Sequence, residues 1–420
     1  MSDRDVAVLW ALSDFRVLST LQIAMLFWRP SLAHKLAWWH LPQTAIDQVL
    51  ASYTAHRVNE RLDFAKWLLA IRRKQPEQLA TLGPGFDLLV DPKWFGSLSL
   101  PEQQQVPITP QDWLLRLFDY DQPLPQAFYK RRRLPSEFIS TGCKQGLRRL
   151  FDEGYIEPEE QPTRLQQGRK PLLWYLAKQG RDTLAGIANV STNAIPWKTA
   201  GSYSPWGLPH RLENNDLRIS TLLAANRHGW KIQRWIDDDQ LRTMHSKKSE
   251  RVKWQRPKDP RKPNGETVEE EGTVVADHYF WLDTGKNWHN FYEYDRGTKT
   301  VQYQEPEQND QDFERKIYTF TAYYKSGLYA QRYPEAGKSM RVLIVTSSEA
   351  RLQSLKAITE GVVNQMSNND KDRESGLMRY WFTTADKIRP TWEDYFSEST
   401  LLDGEIWVRA GQNQLRAVIW

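Results

Sequence analysis

Residues 274–302 have the sequence VVADHYFWLDTGKNWHNFYEYDRGTKTVQ. Two runs rich in β-branched and aromatic residues flank the turn-like stretch DTGKN, and this pattern predicts a β-hairpin. The hairpin carries three acids, Asp277, Glu293 and Asp295. If the turn is centred near Lys286, Asp277 faces Asp295 and Glu293 lies diagonally beside them, within about 8 Å between Cβ atoms. We therefore expect all three carboxylates on one face of the hairpin.

Three carboxylates on one face repel one another unless a positive charge lies between them. Hard cations such as Mg²⁺ and Mn²⁺ prefer oxygen ligands, and protein carboxylates combined with water and substrate phosphate are their usual ligands in phosphate chemistry. Acids at exposed strand positions can also serve solubility alone. Asp277 lies in an otherwise apolar strand and Glu293 is flanked by aromatic residues, which favours a functional cluster. The hairpin therefore predicts a Mg²⁺ or Mn²⁺ site formed by Asp277, Glu293 and Asp295.

Residues 312–324, DFERKIYTFTAYY, predict an amphipathic helix that follows the hairpin. Lys316 lies at the border of its apolar stripe, about 40° from Phe320 at 100° per residue. A lysine in this position usually extends its ammonium group to solvent. Beside an acidic hairpin, the ammonium can instead hold an attacking water or offset charge that develops on phosphate. We predict this second role for Lys316.

The elements around the hairpin have a specific order. From Pro209 the pattern predicts a helix, a strand at residues 230–236, a charged insertion at about 243–272, the two hairpin strands, the helix with Lys316 and a strand at residues 342–346. The predicted order is therefore α-β-β-β-α-β. Because the insertion has few apolar residues and many Lys, Arg, Pro and Glu residues, we expect it to be disordered or a mobile flap. Its basic first half is a candidate cover for a nucleic-acid strand, with a plain solvated loop as the alternative.

Length and composition predict a multidomain protein with an anionic partner. The chain has 420 residues and a net charge of +5, with a pI of about 9.0 and a mean hydropathy of -0.68. This length accommodates two or three domains, and the positive charge favours a partner such as nucleic acid. The chain has no run of eighteen apolar residues, no secretory signal and one cysteine, Cys143. We therefore expect a cytoplasmic protein with no membrane partner.

The first 200 residues have the helical spacing of a DNA-binding unit. Two helices are predicted in residues 5–28, with Ser19 as the N-cap of the second. A long insertion at about 29–135 separates them from a third helix in residues 139–156. The insertion has its own helical patterns, around residues 44–53 and 59–73. The inward face of this third helix is expected to comprise Leu147, Leu150, Phe151 and Ile156. Its outward face is expected to comprise Lys144, Gln145, Arg148 and Arg149.

The segment after the third helix resembles a wing. It has a polar tip with Arg164, Arg169 and Lys170, then the strand LLWYL and a helix after Gly180. A winged helix places its third helix in the major groove and the wing against backbone phosphate. The predicted partner is therefore DNA. We interpret the basic run Arg131, Arg132 and Arg133 as a solvated face that also contacts phosphate.

Five stretches carry a resemblance to known proteins. They are PHRLENNDLRIS (209–220), ADHYFWL (276–282), FYEYDRGT (291–298), ERKIYTFTAYY (314–324) and RVLIVTSSEARL (341–352). Their acids and element order resemble the PD-(D/E)xK core of restriction-type nucleases. Together with a winged helix, the chain resembles the replication-relaxation family of plasmid and mobile-element proteins, which includes relaxases without a histidine-triad site. The expected fold is thus α+β and multidomain, with a winged helix and helical insertion in residues 1–200 and a restriction-endonuclease-like domain in residues 201–420.

This resemblance implies roles for particular residues. The metal-binding acids are expected at Asp277 and Glu293, with Asp295 as a third ligand and Glu213 as an extra acid from the first helix. The lysine that normally follows the second acid by two residues is replaced by Asp295, so Lys316 is expected to supply the charge. The implied activity is that of a Mg²⁺-dependent DNA endonuclease, or nickase, acting at an origin or transfer site.

Alternative interpretations stay open at this stage. Tyr318, Tyr323 or Tyr324 can serve as a covalent nucleophile, as in many relaxases. The chain can also be a catalytically inactive DNA-binding factor for replication, transposition or regulation. Its N-terminal helices also match a docking module, with a second copy in a homodimer or another mobile-element protein as the partner. The sequence lacks a GxxxxGK[ST] loop, which argues against an ATP-driven motor.

Overall fold

The computed structural model describes most of the chain, in two compact units. The described residues are 1–28, 32–83, 85–130, 139–161, 170–205, 207–245, 251–257, 266–296, 313–336, 339–388 and 401–418. Among them, residues up to Ala200 form the first unit and residues from Gly201 form the second.

The first unit is mainly helical and has a small sheet. Its helices are α1 Asp3–Phe15, α2 Thr20–Phe27, α3 Leu32–Ala37, α4 Gln43–Ser52, α5 Ala55–Lys74, α6 Leu79–Leu82, α7 Pro92–Gly96, α8 Leu100–Gln104, α9 Pro110–Phe118, α10 Gln126–Lys130, α11 Thr141–Asp152 and α12 Lys178–Ala188. Its strands are β1 Leu18–Ser19, β2 Ile156–Glu159 and β3 Leu173–Leu176. The strands pair antiparallel in the order β1-β3-β2.

The start of α2 follows the capping signal in the sequence. Ser19 accepts a hydrogen bond from the backbone N–H of Gln22 over 3.2 Å, and the side chain of Gln22 accepts one from the N–H of Ser19 over 2.9 Å. This reciprocal pair is a capping box, which satisfies two backbone donors that the first helical turn leaves open. The N-cap predicted at Ser19 is therefore confirmed.

Helix α11 packs closely against the end of α2 through two glycines. A Cβ atom added at Gly146 would lie 2.8 Å from Cζ2 of Trp28, and one at Gly142 would lie 3.6 Å from Nε1 of the same ring. Glycine therefore lets the α11 backbone approach the indole. The buried face of α11 is formed by Cys143, Leu147 and Leu150. The prediction that Phe151 faces inward was wrong, since its side chain is 46% exposed.

The long insertion folds into helices with a core of their own. The helical patterns predicted near residues 44–53 and 59–73 are confirmed as α4 and α5. Their apolar faces bury Phe64 and Leu68 together with Trp39 and Trp113, whose rings are stacked at 6.0 Å between centroids. The insertion is thus a packed substructure, as expected for a connection of this length.

The second unit contains a larger sheet flanked by helices. Its helices are α13 Gly207–Arg227, α14 Asp238–His245, α15 Phe313–Lys325, α16 Leu328–Arg332, α17 Glu349–Met366, α18 Asp370–Leu377 and α19 Ala385–Ile388. Its strands are β4 Lys231–Asp237, β5 Val252–Pro257, β6 Thr267–Gly272, β7 His278–Asp283, β8 Asn287–Asp295, β9 Arg341–Thr346, β10 Tyr380–Thr384, β11 Trp407–Arg409 and β12 Leu415–Arg416.

Seven of the described strands form a mixed sheet in the order β12-β11-β10-β9-β8-β7-β4. Strands β8, β9 and β10 are parallel neighbours, whereas β4, β7 and β8 pair antiparallel. Helices α15 and α17 cover one face, against Phe291 and Ile344, and α13 covers the other face, against Tyr292. Because strand side chains alternate, Glu293 lies on the α15 face.

The predicted hairpin is present, but its register differs from the prediction. The turn is centred on Gly285 rather than near Lys286, with Asp283 opposite Asn287 and His278 opposite Tyr292. Gly285 has a φ of +87°, a conformation that favours glycine. A turn centre moved by one residue shifts every cross-strand partner by two, so the faces predicted for the acids are kept.

The charged insertion does not match the expectation of disorder in its described part. Strands β5 and β6 form a two-stranded antiparallel sheet. Val252 and Trp254 alternate with exposed residues in β5, and Trp254 stacks on Tyr318 of α15. Its charges are paired across the strands, as in the ion pairs Arg251–Glu271, Lys253–Glu269 and Arg256–Glu270. This pairing neutralises the basic strand that was considered as a cover for nucleic acid.

Another polar segment is also more ordered than expected. Residues 368–375, NNDKDRES, have the polar composition of a loop, but α18 begins at Asp370 because Asn369 caps it by accepting the N–H of Asp372 over 3.0 Å. Acids in its first turn favour the same start. No helix in the described part of the chain has the length and apolarity needed to cross a membrane.

Candidate functional site

The carboxylate of Asp277, directly before β7, is held from two sides. Its Oδ1 is 3.1 Å from Nε2 of His210 in the first turn of α13. The backbone N–H of Tyr294 in β8 donates to its Oδ2 over 2.8 Å. The N–H of Asp277 in turn donates to the carbonyl oxygen of Tyr292 over 3.0 Å. Each carboxylate oxygen therefore has a donor partner of its own.

Glu293 lies in β8, opposite Asp277 when the hairpin register is continued by one residue. Glu293 is only 5% exposed, and its Oε2 forms an ion pair with Nζ of Lys316 in α15. The structure thus brings Asp277, Glu293 and Lys316 together with His210. We call these four residues the acid cluster.

The charges of the acid cluster shift the pKa of every member. Burial raises the pKa of Glu293 to about 7, against the lowering effect of Lys316. Burial also acts to raise the pKa of Asp277, but the hydrogen bond and charge of His210 and the charge of Lys316 hold it below its usual value. For His210 and Lys316, burial acts to lower the pKa, but the neighbouring carboxylates outweigh it and the pKa of each is raised.

One oxygen of the cluster has no donor. Oε1 of Glu293 is buried and accepts no hydrogen bond from the described residues. An unsatisfied buried acceptor costs on the order of 1–3 kcal/mol, so a water or cation at this atom would be stabilising. Across the described ranges, no group of three or more His, Cys, Asp and Glu side chains is arranged to hold a metal ion. Asp277 and Glu293 nevertheless fit an ion such as Mg²⁺, which commonly binds one or two carboxylates and keeps several waters.

The other two predicted acids have arginine partners. Nε and Nη2 of Arg351 contact the two oxygens of Asp295 at 2.7 and 3.1 Å, a bidentate pair. Oε2 of Glu213 is 2.8 Å from Nε of Arg296. The structure therefore engages Asp295 and Glu213 in ion pairs with arginines, and their roles at the metal site stay predictions. The Asp295–Arg351 pair joins residues 56 positions apart in the chain, which local sequence patterns do not reveal.

The first unit presents a basic helix face. Lys144, Gln145 and Arg148 on α11 are exposed, as predicted. Arg149 is exposed as well, as predicted, and its Nη2 also lies 2.6 Å from both carboxylate oxygens of Asp5 in α1. Arg149 therefore joins α11 to α1, because the carboxylate of Asp5 is buried and needs a charged partner.

The other predicted DNA contacts are only partly within the described residues. Lys170 lies just before β3 and is exposed. Arg131, Arg132, Arg133, Arg164 and Arg169 lie outside the described residues, and their roles stay predictions.

A comparison with known protein families identifies the family to which the chain belongs. The family described as replication-relaxation matches residues 125–335, half of the 420-residue chain. The chain belongs to the replication-relaxation family. This family links the protein to replication on plasmids and other mobile elements, and the resemblance stated from the sequence is confirmed. Neither the curated proteins nor the solved structures that were compared gave a match.

The replication-relaxation match spans both candidate sites. Within residues 125–335 lie α11, β2, β3 and α12 of the first unit and α13, β7, β8 and α15 of the second. All four residues of the acid cluster therefore fall in the matched region, as do the exposed residues of α11.

No functional role was predicted from the sequence for His210 of this replication-relaxation protein. The signal that could have revealed it is its spacing from Asn214, because residues four apart lie on one helix face. The amide nitrogen of Asn214 is 3.2 Å from Nε2 of His210, and Asn214 itself is buried. Asn214 thus contacts the same nitrogen of His210 that contacts the carboxylate of Asp277.

The tyrosines considered as nucleophiles lie in or beside the core. Tyr318 and Tyr323 are 1% and 0% exposed, and the hydroxyl of Tyr318 donates to the side chain of Gln365. Tyr324 is partly buried against the same core. Because the hydroxyls of Tyr318 and Tyr323 are enclosed, their positions disfavour attack on a DNA phosphate.

Proposed function

We propose that this replication-relaxation protein is a Mg²⁺-dependent DNA endonuclease that nicks DNA at an origin or transfer site. The observation that carries this proposal is the convergence of Asp277, Glu293 and Lys316 at the ends of β7, β8 and α15. Two carboxylates and a lysine beside the ends of two neighbouring strands resemble the PD-(D/E)xK arrangement, except that the lysine here comes from a helix. The order α13, β4, β7, β8, α15 and β9, with α14, β5 and β6 inserted after β4 and α16 after α15, supports the same proposal.

Asp277 and Glu293 are the residues that would hold Mg²⁺ or Mn²⁺. When bound, such an ion supplies positive charge that polarises a phosphate and offsets charge on the leaving oxygen. The chain's own contribution is placement: His210 and the N–H of Tyr294 fix Asp277. Burial of Glu293 keeps one of its oxygens away from bulk water.

Lys316 would act on the phosphate or on the attacking water. Its side chain is 31% exposed, so the ammonium group lies between the buried Glu293 and solvent. The raised pKa of Lys316 keeps the group positively charged near neutral pH. A fixed cation at this position offsets negative charge that develops on a phosphate in the transition state.

The first unit would bind DNA as a winged helix. Its order, α1, β1, α2, the helical insertion, α11, β2, β3 and α12, and its three-stranded antiparallel sheet support this interpretation. Lys144, Gln145 and Arg148 would face the major groove, and Lys170 would contact phosphate at the base of the wing.

The proposal is tested with Glu293→Gln. The assay measures Mg²⁺-dependent nicking of a supercoiled plasmid carrying the origin and transfer regions of the source replicon, with DNA affinity measured in parallel by fluorescence anisotropy. We expect Glu293→Gln to abolish nicking and to keep DNA affinity. The matched control is Glu374→Gln, the same change at an exposed glutamate of α18, which is expected to keep nicking. Equal nicking by wild type and Glu293→Gln would refute the proposal.

A non-enzymatic DNA-binding factor is the second candidate. One observation favours it: Lys316 already occupies an oxygen of Glu293, so the ion pair competes with a cation. In that case the wild-type protein binds the plasmid but shows no nicking in either Mg²⁺ or Mn²⁺.

A further inference from the structure

We propose that His210 is a positioning residue that holds the carboxylate of Asp277 in the orientation needed to bind a divalent cation. The inference rests on the proposed metal site. It deepens that proposal by naming a helix residue, outside the hairpin and α15, on which the site depends.

The geometry of Asp277 carries the inference. Its Oδ2 is fixed by the N–H of Tyr294 over 2.8 Å, but a single backbone contact leaves the carboxylate free to rotate about its χ angles. Nε2 of His210, 3.1 Å from Oδ1, supplies the second point of attachment. Two donors on different oxygens define the plane of the carboxylate, and each oxygen keeps a lone pair for a ligand.

The surroundings of His210 restrict its own position. The ring lies in the first turn of α13, with the buried amide of Asn214 3.2 Å from the same nitrogen. The ring of Tyr294 lies 6.3 Å from the His210 ring between centroids. A side chain constrained in this way loses little freedom when it orients Asp277, as in the outer contacts that align metal ligands in proteins.

A histidine that only stabilises the fold would not change the affinity for a metal ion when it is replaced. His228 provides the matched comparison, because its Nε2 contacts Asp403 at 2.9 Å and its side chain is 33% exposed, against 34% for His210. Both histidines thus contact one aspartate at similar exposure in the same unit. His210 differs because its aspartate faces Glu293 and Lys316.

The experiment measures Mn²⁺ binding to the full-length protein, without DNA, by the loss of the free-ion electron paramagnetic resonance signal. We expect His210→Ala to weaken Mn²⁺ binding by about 10–100-fold, the range for loss of an orienting partner of a metal ligand. His210→Gln, whose amide nitrogen can replace Nε2, is expected to recover most of the affinity. His228→Ala is expected to bind Mn²⁺ as the wild type does. Thermal unfolding without metal identifies any variant that fails to fold, and His210→Gln then provides the comparison.

The outcomes separate this inference from the proposed function. If Asp277→Asn and Glu293→Gln abolish Mn²⁺ binding but His210→Ala does not weaken it, the metal site stands and the positioning role is refuted. If His210→Gln fails to recover affinity and the bound Mn²⁺ of the wild type shows nitrogen coupling that His210→Ala loses, His210 is a ligand and the positioning role is again refuted. If Asp277→Asn and Glu293→Gln bind Mn²⁺ as the wild type does, the proposed metal site itself fails.

Discussion

Glu293→Gln should change the pH dependence of folding in a predictable direction. The pKa of Glu293 is raised from 4.5 to about 7 by burial, so the folded protein holds this proton more tightly than the unfolded chain. Stability from such a group is greatest below the unfolded pKa of 4.5 and falls until the pH passes the folded pKa of about 7. Glutamine does not titrate, so the variant lacks this loss.

The size of the effect follows from the shift. One pKa unit corresponds to about 1.4 kcal/mol, so between pH 5 and pH 8 the wild type should lose about 2.5 kcal/mol of unfolding free energy relative to the variant. The variant also loses the ion pair of Glu293 with Lys316. The attraction between Lys316 and ionised Glu293 already enters the pKa of about 7 for Glu293, so it is part of the slope given above.

The assay is urea unfolding followed by tryptophan fluorescence at pH 5, 6, 7 and 8, with and without Mg²⁺. Glu374→Gln, a change at an exposed glutamate of α18, serves as the control and should parallel the wild type. At pH 8, Mg²⁺ should stabilise the wild type, by about 2.7 kcal/mol at a concentration one hundred times Kd, and leave Glu293→Gln unchanged. Parallel pH profiles for the wild type and Glu293→Gln would refute the assigned burial effect. Diverging profiles without a Mg²⁺ effect would refute the metal site alone.

Three further outcomes are expected. Lys144→Glu combined with Arg148→Glu should weaken DNA binding and reduce the slope of log affinity against log salt by about 2, measured by fluorescence anisotropy between 50 and 200 mM salt; an unchanged slope would exclude the α11 face. Arg149→Gln should lower the unfolding free energy by about 2–3 kcal/mol in urea, because it leaves a buried carboxylate of α1 without its partner; an unchanged midpoint would contradict this. Gly285→Ala should lower the unfolding free energy by about 1 kcal/mol because of the φ of +87° at this position, whereas Gly186→Ala, in a helix with open space around it, should raise it by a similar amount. Equal effects of the two changes in urea unfolding would contradict the assigned backbone strain.

The sequence predicted the elements around the acid cluster better than their connections. The hairpin, the helix with Lys316 and the face of Glu293 follow from local periodicity, and all three are present. The register was missed by two residues because the turn is centred on Gly285, whose positive φ is a property of the folded backbone. Period-two spacing predicts the face of a strand residue, but not its cross-strand partner.

Long-range ion pairs account for most of the remaining differences. The partners of Asp295 and Arg149, which are Arg351 and Asp5, lie far away in the sequence, so only the charges of the two residues could be predicted. The β5–β6 sheet was missed for a related reason. Its many charged residues suggested a solvated segment, whereas in the structure these charges pair between the two strands. Its inner face is buried by only a few apolar residues, among them the alternating Val252 and Trp254, so the strand pattern is weak.

The same ion pairs also limit what the acid cluster can hold. Two-metal sites place their ions about 3.5–4 Å apart and need several carboxylates to offset four positive charges. Here Asp295 is neutralised by Arg351 and Glu213 by Arg296, so the carboxylates left for cations are those of Asp277 and Glu293. One of these is already balanced in part by Lys316. The charge balance therefore favours a single divalent cation at the proposed site, with substrate phosphate as the remaining source of negative charge.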